Sequence, residues 1–190
     1  MEILQKIRSF VFIPIAVGGG IDSVDDGLEI LANGADKIVI NSIISSKPEI
    51  DKELVENIGS QSIVGGIDYK LCDRKYFPFI NNGTAKCCID IFNYAKTIQS
   101  FGVGEIYVNS ISRDGTGQGY DIELMKKMIA SVNIPLICAG GAGKKEHFYE
   151  LLSHENIRSV ATAHLFNFIG DGLKLSREFL IAKNIGLAEW

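Results

Sequence analysis

No stretch of this chain is an unbroken apolar run of the roughly 18 residues needed to span a bilayer, so no transmembrane helix is expected. Nor does it open like a secretory precursor. The start, MEILQKIRSF, is amphipathic and charged, with no apolar h-region and no small-residue cleavage site. A basic stripe is also missing, and a formal net charge of -4 leaves no electrostatic footprint for nucleic acid. Cysteine is scarce. Cys72, Cys87, Cys88 and Cys138 show no metal-ligand spacing, so no metal site is expected, and nothing in the sequence asks for a cofactor. The adjacent pair would point to opposite faces of a strand, and reduced structural thiols in a cytoplasmic protein are the expectation. Charged residues, at 22%, are too few for disorder. What is present is 190 residues, 46% hydrophobic, with 20 glycines, enough for one domain over residues 1–190 with a substantial core.

The order of apolar runs and glycine stops predicts strands alternating with helices. Ile13-Pro-Ile-Ala-Val-Gly18 suits a strand buried on both faces. Asp22 or Ser23 caps the next helix, which carries Val24, Leu28 and Leu31 inward and stops at Gly34. Asp36 to Ile40 is a strand. Pro48 suits a first helical position, and Ile50, Leu54 and Ile58 make that helix's buried face up to Gly59. Ser62 to Asp68 is another strand. Tyr76 to Ile80, the turn Asn81-Asn82-Gly83 and Thr84 to Cys88 read as a β-hairpin insertion over about 74–89. Helices then follow at Asp90 to Phe101, Asp121 to Val132, Lys145 to Leu152 and Gly172 to Lys183, around strands at Glu105 to Ser110, Ile134 to Ala139 and Arg158 to Ala163. Strands and helices in alternation with short links argue for a parallel sheet. Ile13-Pro14-(x)4-Gly19-Gly20 returns as Ile134-Pro135-(x)4-Gly140-Gly141, which predicts two related half-barrels. A doubly wound open sheet is the competing architecture; both glycine clusters sit at strand C-termini and no switch point is evident, which favours the barrel.

Val17-Gly18-Gly19-Gly20 and Ala139-Gly140-Gly141-Ala142-Gly143 each lie between a strand and a helix. Glycines there let backbone N–H groups meet an anion beside a positive helix N-terminus, so two matched clusters point to a phosphorylated ligand. A plain tight turn is the alternative. The long loop Ser112 to Asp121 is glycine-rich, and long loops at that face carry function. In it Asp114 can cap the loop, Arg113 can pair with a carboxylate and Asp121 suits a helix cap. Asp68 ends a strand, where its carboxylate would enter the barrel mouth as a general acid or base; a salt bridge to Lys70 is the alternative. His147 and His154 read as surface residues.

Taken together, IPIAVGGGI, NGADKIVINS, GSQSIVGGIDYK, GVGEIYVNSISRDGTGQGYD and IPLICAGGAGKKEHF resemble the cyclase subunit of imidazole glycerol phosphate synthase, in order from about residue 1 to the C-terminus. The resemblance implies a (β/α)8 barrel with twofold internal repetition. It also implies an enzyme that takes ammonia from a glutaminase (glutamine amidotransferase) partner. That enzyme acts on a long bisphosphorylated ribonucleotide, yielding imidazole glycerol phosphate and an aminoimidazole carboxamide ribotide in histidine biosynthesis. Asp68 matches the catalytic carboxylate of the second half. Gly20, Asn41 and Ser42, with neighbouring Gly19, match one phosphate site. Asp114, Gly115, Gly141, Ala163 and His164, with neighbouring Gly140, match the other. Lys37 and Glu105 match charged residues that gate the ammonia channel, and Asp36 matches a residue of the docking face.

Departures from the family pattern carry their own expectations. The family begins with two strands that precede the match to this chain, roughly 60 residues of a barrel of about 250. A catalytic Asp ends the first of those strands. A gene fragment, a shortened chain or a misassigned start would each account for this, and the chain by itself is expected to be a poor cyclase, since losing one of an acid/base pair costs on the order of 10² to 10⁴ in rate. Six strands would leave two exposed sheet edges, open to self-association. Ser112, Ala139, His164 and Asn109 differ from the family's usual residues and lean toward a paralogous branch in surface-polysaccharide biosynthesis, acting as ammonia conduit or scaffold with a glutamine amidotransferase. A phosphoribosyl sugar isomerase of the same barrel type is the third reading; the loop SRDGTGQGYD and the hairpin after Asp68 fit the cyclase better.

Overall fold

A computed structural model describes residues 2–46, 48–154, 157–163 and 170–188, so His164 lies outside the described residues. Parallel strands run side by side in sequence order: β1 (Ala16–Gly18), β2 (Lys37–Ile40), β3 (Ile63–Cys72), β6 (Glu105–Ser110), β7 (Leu136–Ala139) and β8 (Ser159–Val160). An order without a switch point is that of a curled partial (β/α) barrel and rules out the doubly wound sheet. Among the described residues the strands at the two ends of this path, β1 and β8, each pair on one side only.

Helices cover the convex face: α1 (Glu2–Arg8), α2 (Val24–Ala32), α3 (Ser42–Ser46), α4 (Pro48–Ile58), α5 (Ile91–Ser100), α6 (Ile122–Ile129), α7 (Lys145–Leu152) and α8 (Gly172–Ala182). Their ends follow from capping chemistry. Ser23 Oγ accepts from the Asp26 N–H at 3.2 Å, and Asp26 Oδ2 reaches back to the Asp22 N–H at 3.0 Å, so the first turn satisfies its own donors. Asp90 and Asp121 cap α5 and α6 in the same way. Among the described residues, no helix is long and apolar enough to cross a membrane.

Alternation along the strands sorts side chains by face. Ile38, Ile40, Ile63, Ile67, Ile106 and Val108 are buried, within one continuous core that also takes in Leu54 of α4, Ile98 of α5, and Leu124, Met125 and Met128 of α6. The intervening residues of β2 and β6, including Lys37, Val39, Glu105, Tyr107 and Asn109, are only half-buried. Close approach of helix to sheet needs a glycine at one point: a Cβ on Gly65 would run into Ile98 Cγ2.

The strand predicted from Ile13 begins only at Ala16. The backbone before it is held by side chains, with the Ile15 N–H donating to Asp36 Oδ2 at 2.8 Å and Arg8 Nη1 to the Ile13 carbonyl at 3.2 Å. β3 runs past Asp68 to Cys72 because β4 (Lys75–Ile80) folds back on it, from Asp68 opposite Phe79 to Cys72 opposite Lys75. The two-residue turn between them, Asp73-Arg74, has positive φ at both positions, as a right-twisted hairpin requires. A second hairpin turns at Asn81-Asn82-Gly83 and pairs β4 with β5 (Ala85–Lys86), shorter than the predicted Thr84 to Cys88. None of the four cysteines is joined in a disulfide; Cys138 is buried, which pushes its thiol up to about 12.

Gly65→Ala is expected to cost about 1–3 kcal/mol by overpacking against Ile98. The urea midpoint would fall while circular dichroism of the folded state is unchanged, and a wild-type midpoint would refute this close-packing account.

Candidate active site

The C-terminal ends of β1, β2 and β3 open into a cleft of about 520 Å³ lined by Gly18, Gly19, Gly20, Asn41, Ser42, Asp68 and Tyr107, with Asn81 and Asn82 of the hairpin tip on its rim. Asp68 is placed here by β3. Its two oxygens are held separately: Asn41 Nδ2 donates to Oδ2 at 2.9 Å and Asn109 Nδ2 to Oδ1 at 2.9 Å. Asp68 and Asn109 are direct neighbours in the β3–β6 register, so the second bond follows from strand pairing. The carboxamides must point their nitrogens inward, because an amide oxygen would face an acceptor-only carboxylate. Asn41 Oδ1 is consequently left buried without a protein partner. Lys70 does not pair with Asp68. Its ammonium donates to the Gly83 carbonyl at 3.1 Å and lies 4.6 Å from the centre of the Phe79 ring.

Tyr107 shares this cleft, and no motif pointed to it. Burial first, then the carboxylates of Asp114 and Asp68, raise its phenol above the ordinary value, so it stays a neutral O–H donor at working pH. Alternation in Glu105-Ile-Tyr107-Val-Asn109 was the available signal: one face of β6 carries all three polar residues.

The two glycine clusters, matched in sequence, differ physically. Gly19 and Gly20 have positive φ (104° and 69°) and no atom within 4 Å of where a Cβ would stand. They are an open cradle. Beside it Ser42 Oγ accepts from the Asn81 N–H at 3.0 Å, a bond that uses an oxygen lone pair and not the hydroxyl proton. Gly140 and Gly141, by contrast, are buried beneath the loop from Arg113 to Gly119. The Gly119 N–H donates to the Gly141 carbonyl at 2.7 Å, Arg113 Nη1 donates to the Gly119 carbonyl at 3.2 Å, and a Cβ on Gly140 would press on the Ser110 backbone and Asn109 Oδ1. Arg113 thus braces its own loop. Asp114 and Gly115 are exposed on that loop, with the Asp114 N–H tied to the Ser110 carbonyl at 2.9 Å. Thr162 Oγ1 donates to the Ala142 carbonyl at 3.5 Å, and the next residue, Ala163, is exposed.

His147 is a correction. Read from sequence as a surface residue, it is buried on α7, where Nδ1 accepts from the Gly143 N–H at 3.1 Å and the ring packs beside Gly119. It locks the second glycine cluster to its helix.

Toward the other end of the strands, Lys37 Nζ and Glu105 Oε1 form an ion pair at 2.8 Å. Asp36 is engaged within the chain by Arg8 at 3.3 Å as well as by the Ile15 N–H.

A family model described as "Histidine biosynthesis protein" matches residues 1–170. The chain belongs to that family. The imidazole glycerol phosphate synthase subunit HisF of Sulfurisphaera tokodaii is 45% identical over 152 residues, covering 80% of this chain and 61% of that protein. The protein of the same name from Saccharolobus solfataricus is 41% identical over 166 residues, covering 87% and 66%. That from Chlorobium limicola is 36% identical over 185 residues, covering 97% and 74%. The chain therefore spans between 61% and 74% of the length of these histidine biosynthesis relatives.

The Nδ1 acceptor of His147 requires a neutral ring, and burial followed by the Lys144 charge lowers its affinity for a proton. The unfolded chain takes that proton near pH 6.5, so stability should fall as pH drops below about 6.5. His147→Asn keeps an acceptor near Gly143 and removes the titration. Urea midpoints from pH 8 to pH 5 should decline less steeply in the variant, and parallel curves would remove His147 from this role.

Proposed function

We propose that this chain carries the cyclase chemistry of imidazole glycerol phosphate synthase: it holds a ribonucleotide with a phosphate at each end across Asp68. The single observation that carries this reading is a carboxylate, clamped by two amides, between an open glycine cradle and a second glycine loop. One phosphate would rest on Gly19, Gly20, Asn41 and Ser42. The other would meet Asp114, Gly115, Gly140, Gly141 and Ala163, with His164 beside them in sequence. Ammonia supplied by a glutaminase subunit would add to the ligand's carbonyl carbon, whose oxygen leaves as water. The new nitrogen would close on the amidine carbon, breaking that carbon's bond to the aminoimidazole carboxamide ribotide, which leaves as the amine. Asp68 would move the protons of these steps. Tyr107 O–H is the fixed donor beside it, and Asn41 Oδ1 accepts from a ligand O–H or N–H, which relieves an otherwise unmet acceptor. Lys37 and Glu105 would form part of the gate through which ammonia enters from the opposite end, and Asp36 part of the docking face. The polysaccharide and isomerase readings have less support, because the relatives above carry the cyclase subunit's name.

Calorimetry tests the binding half of this proposal. A ribonucleotide with two phosphates should bind at least about tenfold more tightly than either monophosphate half. Ser42→Ala should weaken the bisphosphate and one monophosphate only. Asp68→Asn should leave binding within about threefold and remove ammonia-dependent turnover, with a rate loss on the order of 10² to 10⁴. Equal affinity for one phosphate and two would sink the two-site reading, and unchanged turnover in Asp68→Asn would remove Asp68 from the chemistry.

A further inference from the structure

Asp68 is held from both sides, and the two holders differ in what else they touch. Asn41 lines the cleft, beside the open cradle of Gly19 and Gly20. Asn109 does not line it. Its amide nitrogen is on Asp68 Oδ1 at 2.9 Å, and its carbonyl oxygen lies where a Cβ on Gly140 would come within 2.9 Å of it. Asn109 thus fills the space between the carboxylate and the second glycine cluster. A hydrogen bond from each side removes both torsional freedoms of a carboxylate: one donor alone lets the group swing about its Cβ–Cγ bond, whereas two on different oxygens fix the plane. Because the strand register puts Asn109 directly opposite Asp68, the bond needs no loop to form.

We propose that Asn109 is a positioning residue for the Asp68 carboxylate, setting its plane between the two anion-holding rims without touching the ligand. This rests on the reading that Asp68 moves protons in a bisphosphorylated ligand. Gly140 belongs to the same device. Its positive φ of 85° and bare Cα leave room for the Asn109 carbonyl, and any side chain there would push the amide off the carboxylate.

The test has two arms on the full chain. In ¹⁵N spectra the side-chain NH₂ pair of Asn109 should shift on Asp68→Ala, while the corresponding pair of an asparagine away from the cleft, such as Asn57, stays in place. Asn109 signals unmoved by Asp68→Ala would overturn the clamp. In the second arm, Asn109→Leu keeps the volume and removes the donor. Turnover with ammonia should drop about 10- to 100-fold, with the dissociation constant of the bisphosphorylated ribonucleotide within about twofold of wild type, as expected for loss of one charge-assisted hydrogen bond acting through another group. In an Asp68→Asn background the same change should slow turnover no further. Weaker ligand binding at unchanged turnover, or an undiminished further loss in that background, would overturn the assignment. If Asn109→Leu does not fold, Asn109→Ser, smaller and too short to reach Asp68, is read in the same way. Failure of the wild-type chain to turn over the ligand would instead count against the reaction proposed, while the amide signals still decide the clamp.

Discussion

The pairing of β3 with β6 is the constraint from which the rest of this cleft follows. It sets Asp68 opposite Asn109, and the adjoining β2 ends where Asn41 can reach the same carboxylate from the other side. Had the register slipped by one residue, the polar side chains of β6 would have turned into the helices and its buried aliphatic ones toward the cleft. The outer faces prevent that slip. Ile106 and Val108 are fully buried, and the cost of exposing them enforces the register that the hydrogen bonds exploit. Packing on one face of the sheet thus determines chemistry on the other.

That division explains why polar residues gather in separate levels along the strands. Lys37 and Glu105 meet across β3 near its start, and Asn41, Asp68 and Asn109 meet near the other end, with Tyr107 between the levels on β6. A half-buried ion pair shields its charges less from each other than water would, and so its partners resist separation more than a surface pair does. The Lys37–Glu105 and Asn41–Asp68–Asn109 groups are thus largely satisfied within themselves, while Asn41 Oδ1 is buried without a partner among the described residues.

Alternation of strand and helix and the capping of two helices, at Ser23 and Asp121, were legible in the sequence, because each depends on local chemistry, a Ser or Asp before an apolar period. Asp68 was found on its strand but not at its end, since β3 runs on to Cys72. The turn at Asp73-Arg74 was not legible, since Arg, unlike Asp, is not a usual carrier of positive φ and the turn exists to let β4 pair with β3. His147 was misread for a related reason. One histidine on a helix carries no mark of burial until the loop that covers it, with Gly119 at its end, is in place. Asn109 was visible only as a departure from a family pattern, and its role lies in a cross-strand neighbour 41 residues away.

The two glycine clusters make the same point in sharper form. They repeat in sequence spacing, yet Gly19 and Gly20 face open space while Gly140 and Gly141 lie beneath a loop whose Gly119 N–H donates to the Gly141 carbonyl. On the proposed reading an anion at the open cradle would meet its backbone alone, whereas one at the roofed cluster would also meet the exposed Asp114-Gly115 segment. The roof over Gly140 and Gly141 is the connection between β6 and α6, where the chain from Ser112 to Asp121 folds over the neighbouring strand end, whereas among the described residues no atom stands within 4 Å of a Cβ built on Gly19 or Gly20.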